Sequence, residues 1–122
     1  MFKLVKTFRF EAGHQLMHHD GACSEPHGHS YTLEIHIISD ELVEEGPKKN
    51  MVVDFHQISD VVNPLIETYL DHKWLNDTLD TDSPTSEFIA RWVYRKLKNK
   101  LPGLDLVSIS ETTTSQAIYS ER

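Results

Sequence analysis

Two stretches of this chain alternate apolar and polar residues almost one for one, and together they commit it to a sheet. From Phe2 to His14 the even positions read Phe2, Leu4, Lys6, Phe8, Phe10, Ala12 and His14. The odd positions carry Lys3, Val5, Thr7, Arg9, Glu11 and Gly13, so that Lys6 and Val5 are the exceptions. Further on, His27, His29, Tyr31, Leu33, Ile35 and Ile37 share one parity, and Gly28, Ser30, Thr32, Glu34 and His36 the other. Successive side chains of a strand leave opposite faces, so each stretch predicts a strand with one buried face. The polar segment between them, with Gly21 and Pro26, predicts a loop, and the two strands are expected to pair antiparallel.

The period changes at Asp54. Phe55, Ile58, Val61, Val62, Leu65, Ile66 and Tyr69 recur at helical spacing, with Asp54 as the expected N-cap and Pro64 as the expected site of a kink. Asp71 to Asp82 is polar and predicts turns. Ser83-Pro84 has the form of an N-cap followed by proline in the first helical position. Phe88, Ile89, Trp92, Val93 and Leu97 then form the stripe of a second helix, which Pro102-Gly103 ends. Residues 104–112 and 117–119 predict two final strands. The order β-β-α-α-β-β implies an α+β fold: an antiparallel four-stranded sheet with two helices on one face. The whole chain, 1–122, reads as one domain. Such a sheet leaves two open edges, which points to assembly of several copies.

Charge narrows the function. The 19 acidic and 12 basic residues give a net charge of −7, which argues against general affinity for nucleic acid or an anionic membrane. No apolar run approaches the roughly 18 residues of a membrane span. The single cysteine, Cys23, excludes an intrachain disulfide and fits a reducing compartment, so a cytoplasmic enzyme or binding module is expected.

Eight histidines remain to be explained, five of them between positions 14 and 29. In His27-Gly28-His29 both imidazoles leave one face of a strand, as two ligands of one ion must. A lone His-x-His is more often a strand-end pair bonded to water. His14 closes the preceding strand on its apolar face, however, and antiparallel pairing brings it beside His27. Three neutral imidazoles with one open position describe a catalytic zinc site. Cys23 lies four residues before His27, where a thiol beside a dication would be acidified; alone it is an ordinary small residue. Asp71-His72 has the composition of a proton relay, although neighbours in sequence need not bond to one another. Glu111 shares its parity with Val107 and Ile109, and a carboxylate on a buried face needs a partner; an exposed edge position is the simpler reading.

Taken together, these segments resemble the 6-pyruvoyl tetrahydropterin synthase family, and in particular its bacterial 6-carboxy-5,6,7,8-tetrahydropterin synthase branch. Phe8-Arg9-Phe10-Glu11-Ala12-Gly13-His14 resembles the first zinc-histidine segment. Cys23-Ser24-Glu25-Pro26-His27-Gly28-His29 matches the Cys-x3-His-Gly-His signature, and Val53-Asp54-Phe55 the entry to the first helix. Leu70-Asp71-His72-Lys73-Trp74-Leu75-Asn76 and Pro84-Thr85-Ser86-Glu87 resemble two further motifs, and Glu111-Thr112 falls where the family keeps a pterin-anchoring glutamate.

The resemblance implies the tunnelling fold, with subunits closing a β-barrel as a homohexamer, a dimer of trimers. It implies zinc on His14, His27 and His29, with 7,8-dihydroneopterin triphosphate as the substrate. Cys23 would be the proton acceptor, Asp71 and His72 the relay, and Glu111 the anchor for the 2-amino and N3 groups. Thr85, Ser86 and Glu87 would lie near the pterin. The products would be 6-carboxy-tetrahydropterin, acetaldehyde and triphosphate, on the route to queuosine and other 7-deazapurines. The alternatives are a relative forming 6-pyruvoyl tetrahydropterin or 6-hydroxymethyl-dihydropterin, and a non-catalytic, zinc-stabilised pterin-binding module. Some relatives use a glutamate near this place instead of cysteine, but Glu25 is not at the spacing expected for that replacement, so Cys23 stays as the expected base.

Overall fold

The computed structural model describes residues 1–121. The first strand, β1, spans Phe2–His14 and the second, β2, spans His27–Ser39; they pair antiparallel along their whole length, from Phe2 opposite Ser39 to His14 opposite His27. The alternation works as expected. Phe8, Phe10, Ala12 and His14 of β1, with Tyr31, Leu33, Ile35 and Ile37 of β2, are all buried on one face.

Helix α1 (Phe55–Leu65) opens with a full capping box: an Asp54 oxygen accepts from the His56 amide at 2.9 Å, and the Asp54 amide donates to Gln57 Oε1 at 2.9 Å. The helix runs through Pro64 and passes at once into a π-helical turn, Ile66–Leu70, closed by the Asp71 amide on the Ile66 carbonyl. Proline supplies no N–H and crowds the carbonyl four residues back, and a loosened turn follows it here.

Several expectations need correction. The sheet has five strands, not four, and is mixed rather than wholly antiparallel, in the order β3-β1-β2-β4-β5. The extra strand, β3, is Lys73–Trp74, and it runs parallel to Ala12 and Gly13 of β1. Two residues cannot produce a period, which is why the segment read as turn. A short helix, α2 (Leu75–Thr78), follows it. The next helix, α3, spans Ser86–Leu97 and is capped by Thr85, not Ser83: Thr85 Oγ1 accepts from the Phe88 amide at 3.1 Å. Pro84 therefore lies before the cap, with its carbonyl free for another partner.

Strands β4 (Leu104–Thr112) and β5 (Ser115–Tyr119) complete the sheet. Buried residues of α1 and α3, among them Ile58, Val62, Ile89, Val93 and Leu97, join the apolar sheet face in a single core. Gly103 has φ +82°, and a Cβ there would lie 2.6 Å from the Ile38 carbonyl oxygen, so only glycine fits the turn that seats β4 against β2. Among the described residues no helix is long and apolar enough to cross a membrane.

Candidate active site

The register of β1 on β2 does what the sequence pattern required. His14, His27 and His29 converge at the end of the shared face, one nitrogen from each lying within 4.8 Å of the others. Gly28 permits the approach, since a Cβ on it would sit 3.3 Å from the Ala12 carbonyl.

The orientation of the rings says what the cluster is for. His14 Nδ1 donates to the Pro84 carbonyl at 2.8 Å, and His27 Nδ1 donates to the Glu25 carbonyl at 2.7 Å. Carbonyls only accept, so both neutral rings carry their proton on Nδ1. Their Nε2 atoms, 2.8 Å apart, then present two lone pairs to one another. His29 Nε2 is buried and has no hydrogen-bond partner among the described residues. Facing lone pairs and a buried orphan nitrogen are unfavourable for a polar cluster unless a positive centre lies among them. Outer carbonyls that fix the tautomer are the usual support of histidine ligands. The three histidines therefore fit a metal ion of the kind that prefers nitrogen donors. Burial holds the pKa of His14 below its ordinary value, and the neighbouring imidazoles act in the same direction, against the Pro84 bond and the Glu111 charge. A neutral ring is what a metal ligand needs.

Around this cluster the other predicted residues fall into three groups. Glu111 lies beside it, its carboxylate 3.6 Å from His29 Nε2 and 3.9 Å from His14 Nε2, on the face of Val107 and Ile109 rather than at an exposed edge, which is the simpler reading of the sequence. Glu111 also lines a cleft of about 530 Å³ with Thr85, Ser86 and Glu87, so the start of α3 and the end of β4 wall one space. Buried Tyr31 lies under the cluster, its hydroxyl 3.2 Å from His14 Nδ1, and burial and Glu111 raise its pKa.

Asp71 and His72 form an ion-pair contact: His72 Nδ1 lies 2.9 Å from Asp71 Oδ2, while Asp71 Oδ1 accepts from the Glu11 amide at 2.9 Å. The Glu11 amide, and then the His72 ring, hold the Asp71 carboxyl below the usual carboxylate range. His72 adopts φ +58°, an uncommon conformation for a residue other than glycine. With His27, Gly28 and His29 it lines an open depression of about 600 Å³. No hydrogen bond among the described residues links this pair to the three imidazoles.

Cys23 sits in a short 3-10 turn, Ala22–Ser24, as a free, half-buried thiol outside the three-histidine group. Its loop is tied down by the Leu16 amide on the Cys23 carbonyl at 2.9 Å. A hollow of about 630 Å³ lies elsewhere, between Ser39, Lys48 and Lys100, but no histidine or cysteine lines it.

Comparison with known proteins identifies the family. The profile of the family described as 6-pyruvoyl tetrahydropterin synthase matches residues 3–122. The chain belongs to the 6-pyruvoyl tetrahydropterin synthase family. It is 45% identical over 120 residues to 6-carboxy-5,6,7,8-tetrahydropterin synthase of Synechocystis sp., covering 98% of this chain and 93% of that protein. It is 33% identical over 101 residues to dihydroneopterin monophosphate aldolase of Pyrococcus furiosus, covering 83% of this chain and 79% of that one. The solved structure of Caenorhabditis elegans 6-pyruvoyl tetrahydropterin synthase superposes with a TM-score of 0.84 at 25% identity, over 99% of this chain and 96% of the other. As a member of this synthase family the chain is an enzyme, a lyase.

Sequence reasoning missed the groups that orient the cluster. The Pro84 and Glu25 carbonyls are backbone atoms and leave no signature in residue type. In the sequence Gln15 lies in a polar loop and Asn76 only closes a motif with no role assigned to it, yet the two side chains make three bonds between segments of the site.

Proposed function

We propose that this chain converts 7,8-dihydroneopterin triphosphate to 6-carboxy-5,6,7,8-tetrahydropterin, releasing acetaldehyde and triphosphate. The observation that carries the proposal is the 45% identity to the Synechocystis synthase over nearly the full chain, with Cys23 and the three-imidazole cluster in place. His14, His27 and His29 would hold a zinc ion, which when bound supplies a Lewis acid that makes the C–H protons beside the substrate's side-chain hydroxyls more acidic.

The remaining roles belong to the chain. Glu111 accepts from the 2-amino and N3 groups of the pterin, which gives its carboxylate the donors it lacks, and Thr85, Ser86 and Glu87 wall the same cleft. Cys23, as thiolate, accepts the proton from the side-chain carbon. The Asp71–His72 pair carries protons: Asp71 orients the ring through Nδ1 and leaves Nε2 to exchange with substrate or water.

The open strands support assembly. β3 covers only Ala12 and Gly13 of β1, β5 is the last strand on the other side, and apolar Phe2, Val5 and Ile118 are exposed near these edges. Pairing between copies would close the edges into the barrel of a tunnelling-fold hexamer, a dimer of trimers. The enzyme would act in the cytoplasm, and its product would feed queuosine and other 7-deazapurines.

A second reading, cleavage to 6-hydroxymethyl-dihydropterin, is favoured by the Pyrococcus aldolase relative. Mass analysis of the products from zinc-loaded protein and 7,8-dihydroneopterin triphosphate separates the two. The carboxy-pterin supports the proposal, whereas a hydroxymethyl or pyruvoyl product overturns it.

A further inference from the structure

Residues 71–76 run beside residues 11–15 as a zipper that extends past the end of the sheet. Asp71 and the His72 amide bond to Glu11, Lys73 and Trp74 pair with Ala12 and Gly13, and Asn76 meets Gln15. At that last position β3 has already ended, and a side chain replaces the missing strand. Asn76 Oδ1 accepts from the Gln15 amide at 2.9 Å, and Asn76 Nδ2 donates to the Gln15 carbonyl at 2.8 Å. Only a carboxamide can both accept and donate in this way. Gln15 hands the constraint on: its Nε2 donates to the Ser24 carbonyl at 2.7 Å, and the next amide, Leu16, donates to the Cys23 carbonyl at 2.9 Å.

From these bonds we infer that Asn76 and Gln15 are positioning residues for Cys23: they lock the turn that carries the thiol to the backbone that carries His14 and to the segment that carries Asp71 and His72. The inference rests on the reading of Cys23 as proton acceptor. The segment that carries Asp71 and His72 lies about sixty residues from the other two parts, and this relay sets the spacing of all three. Both polar atoms of the Asn76 carboxamide and the Gln15 Nε2 are spent on backbone partners, so these bonds contribute to geometry. A displacement of the thiol by about 1 Å can cost on the order of a hundredfold in rate.

The test uses the full, metal-loaded protein. Cys23 is its only cysteine, so alkylation by iodoacetamide reports on that thiol alone. Asn76→Asp keeps the acceptor and loses the donor. Gln15→Met keeps size and loses only the bond to Ser24, so it tests the relay even if the Asn76 variant fails to fold. The expected result for Gln15→Met is bound metal equal to the parent, an alkylation rate changed several-fold, and a kcat lowered about 10- to 100-fold with KM nearly unchanged. Parental alkylation and kcat in Gln15→Met would overturn the inference, as would a lowered kcat accompanied only by loss of metal. If the parent protein shows no turnover, the functional reading fails separately, and the alkylation rates alone decide the positioning role.

Discussion

Acidification of the metal-free protein should expose the burial of His14 as a loss of stability. The ring is 1% exposed, and burial holds its pKa below the ordinary 6.5 in the folded state. The unfolded chain has no such restraint and takes up a proton near pH 6.5. Below that pH the unfolded state therefore binds more protons than the native state, and stability falls as pH falls. The slope is about 1.4 kcal/mol per pH unit for one proton, and it persists until the native ring itself titrates. Between pH 7.5 and 5.0 the loss reaches at most about 2 kcal/mol. The carboxyls with lowered pKa, Asp54, Asp71, Asp82 and Glu121, titrate below this window and do not add to it. Urea unfolding in the presence of a chelator, for the parent and for His14→Gln, isolates the effect. With a typical slope near 2 kcal/mol/M, the parent midpoint should drop by up to about 1 M more than that of the variant. Parallel pH dependences in the two proteins would refute the claim that a neutral, buried His14 is part of the folded state.

Two further outcomes follow from the same geometry. His29→Ala removes the buried orphan Nε2, and metal analysis after dialysis should show occupancy well below the parent's, with the fold retained by circular dichroism. Gly103→Ala places a Cβ against the Ile38 carbonyl at a positive φ, so thermal unfolding should report a loss of about 1–3 kcal/mol; an unchanged midpoint would contradict the account of that turn.

Much of the site was legible because its key residues lie on strands. The period-2 pattern placed His14, His27 and His29 on one buried face, and antiparallel pairing then left little freedom in where they meet. Parity alone leaves Glu111 open between this face and an exposed edge; the structure sets its carboxylate beside His29. Residues outside the regular elements were harder to place. The Asp71–His72 contact occurs with His72 at φ +58°, a backbone angle that adjacency in sequence does not imply. The two-residue strand Lys73–Trp74 is too short for any period, and with it went the parallel pairing that aligns residues 71–76 with 11–15. Ser83 and Thr85 are both good caps by residue type, and the choice of Thr85 leaves the Pro84 carbonyl to His14, a tertiary contact that local rules cannot foresee. The rings of His14 and His27 are thus aimed by backbone atoms whose role appears only once the chain is folded.

The measurement that bears most directly on the central claim is acetaldehyde release. Zinc-loaded protein should form one acetaldehyde for each carboxy-pterin produced from 7,8-dihydroneopterin triphosphate, and Cys23→Ala, with its metal still bound, should form neither. Acetaldehyde produced by Cys23→Ala at the parent's rate would contradict the assignment of the thiol, and a parent that consumes the substrate without releasing acetaldehyde would contradict the reaction itself.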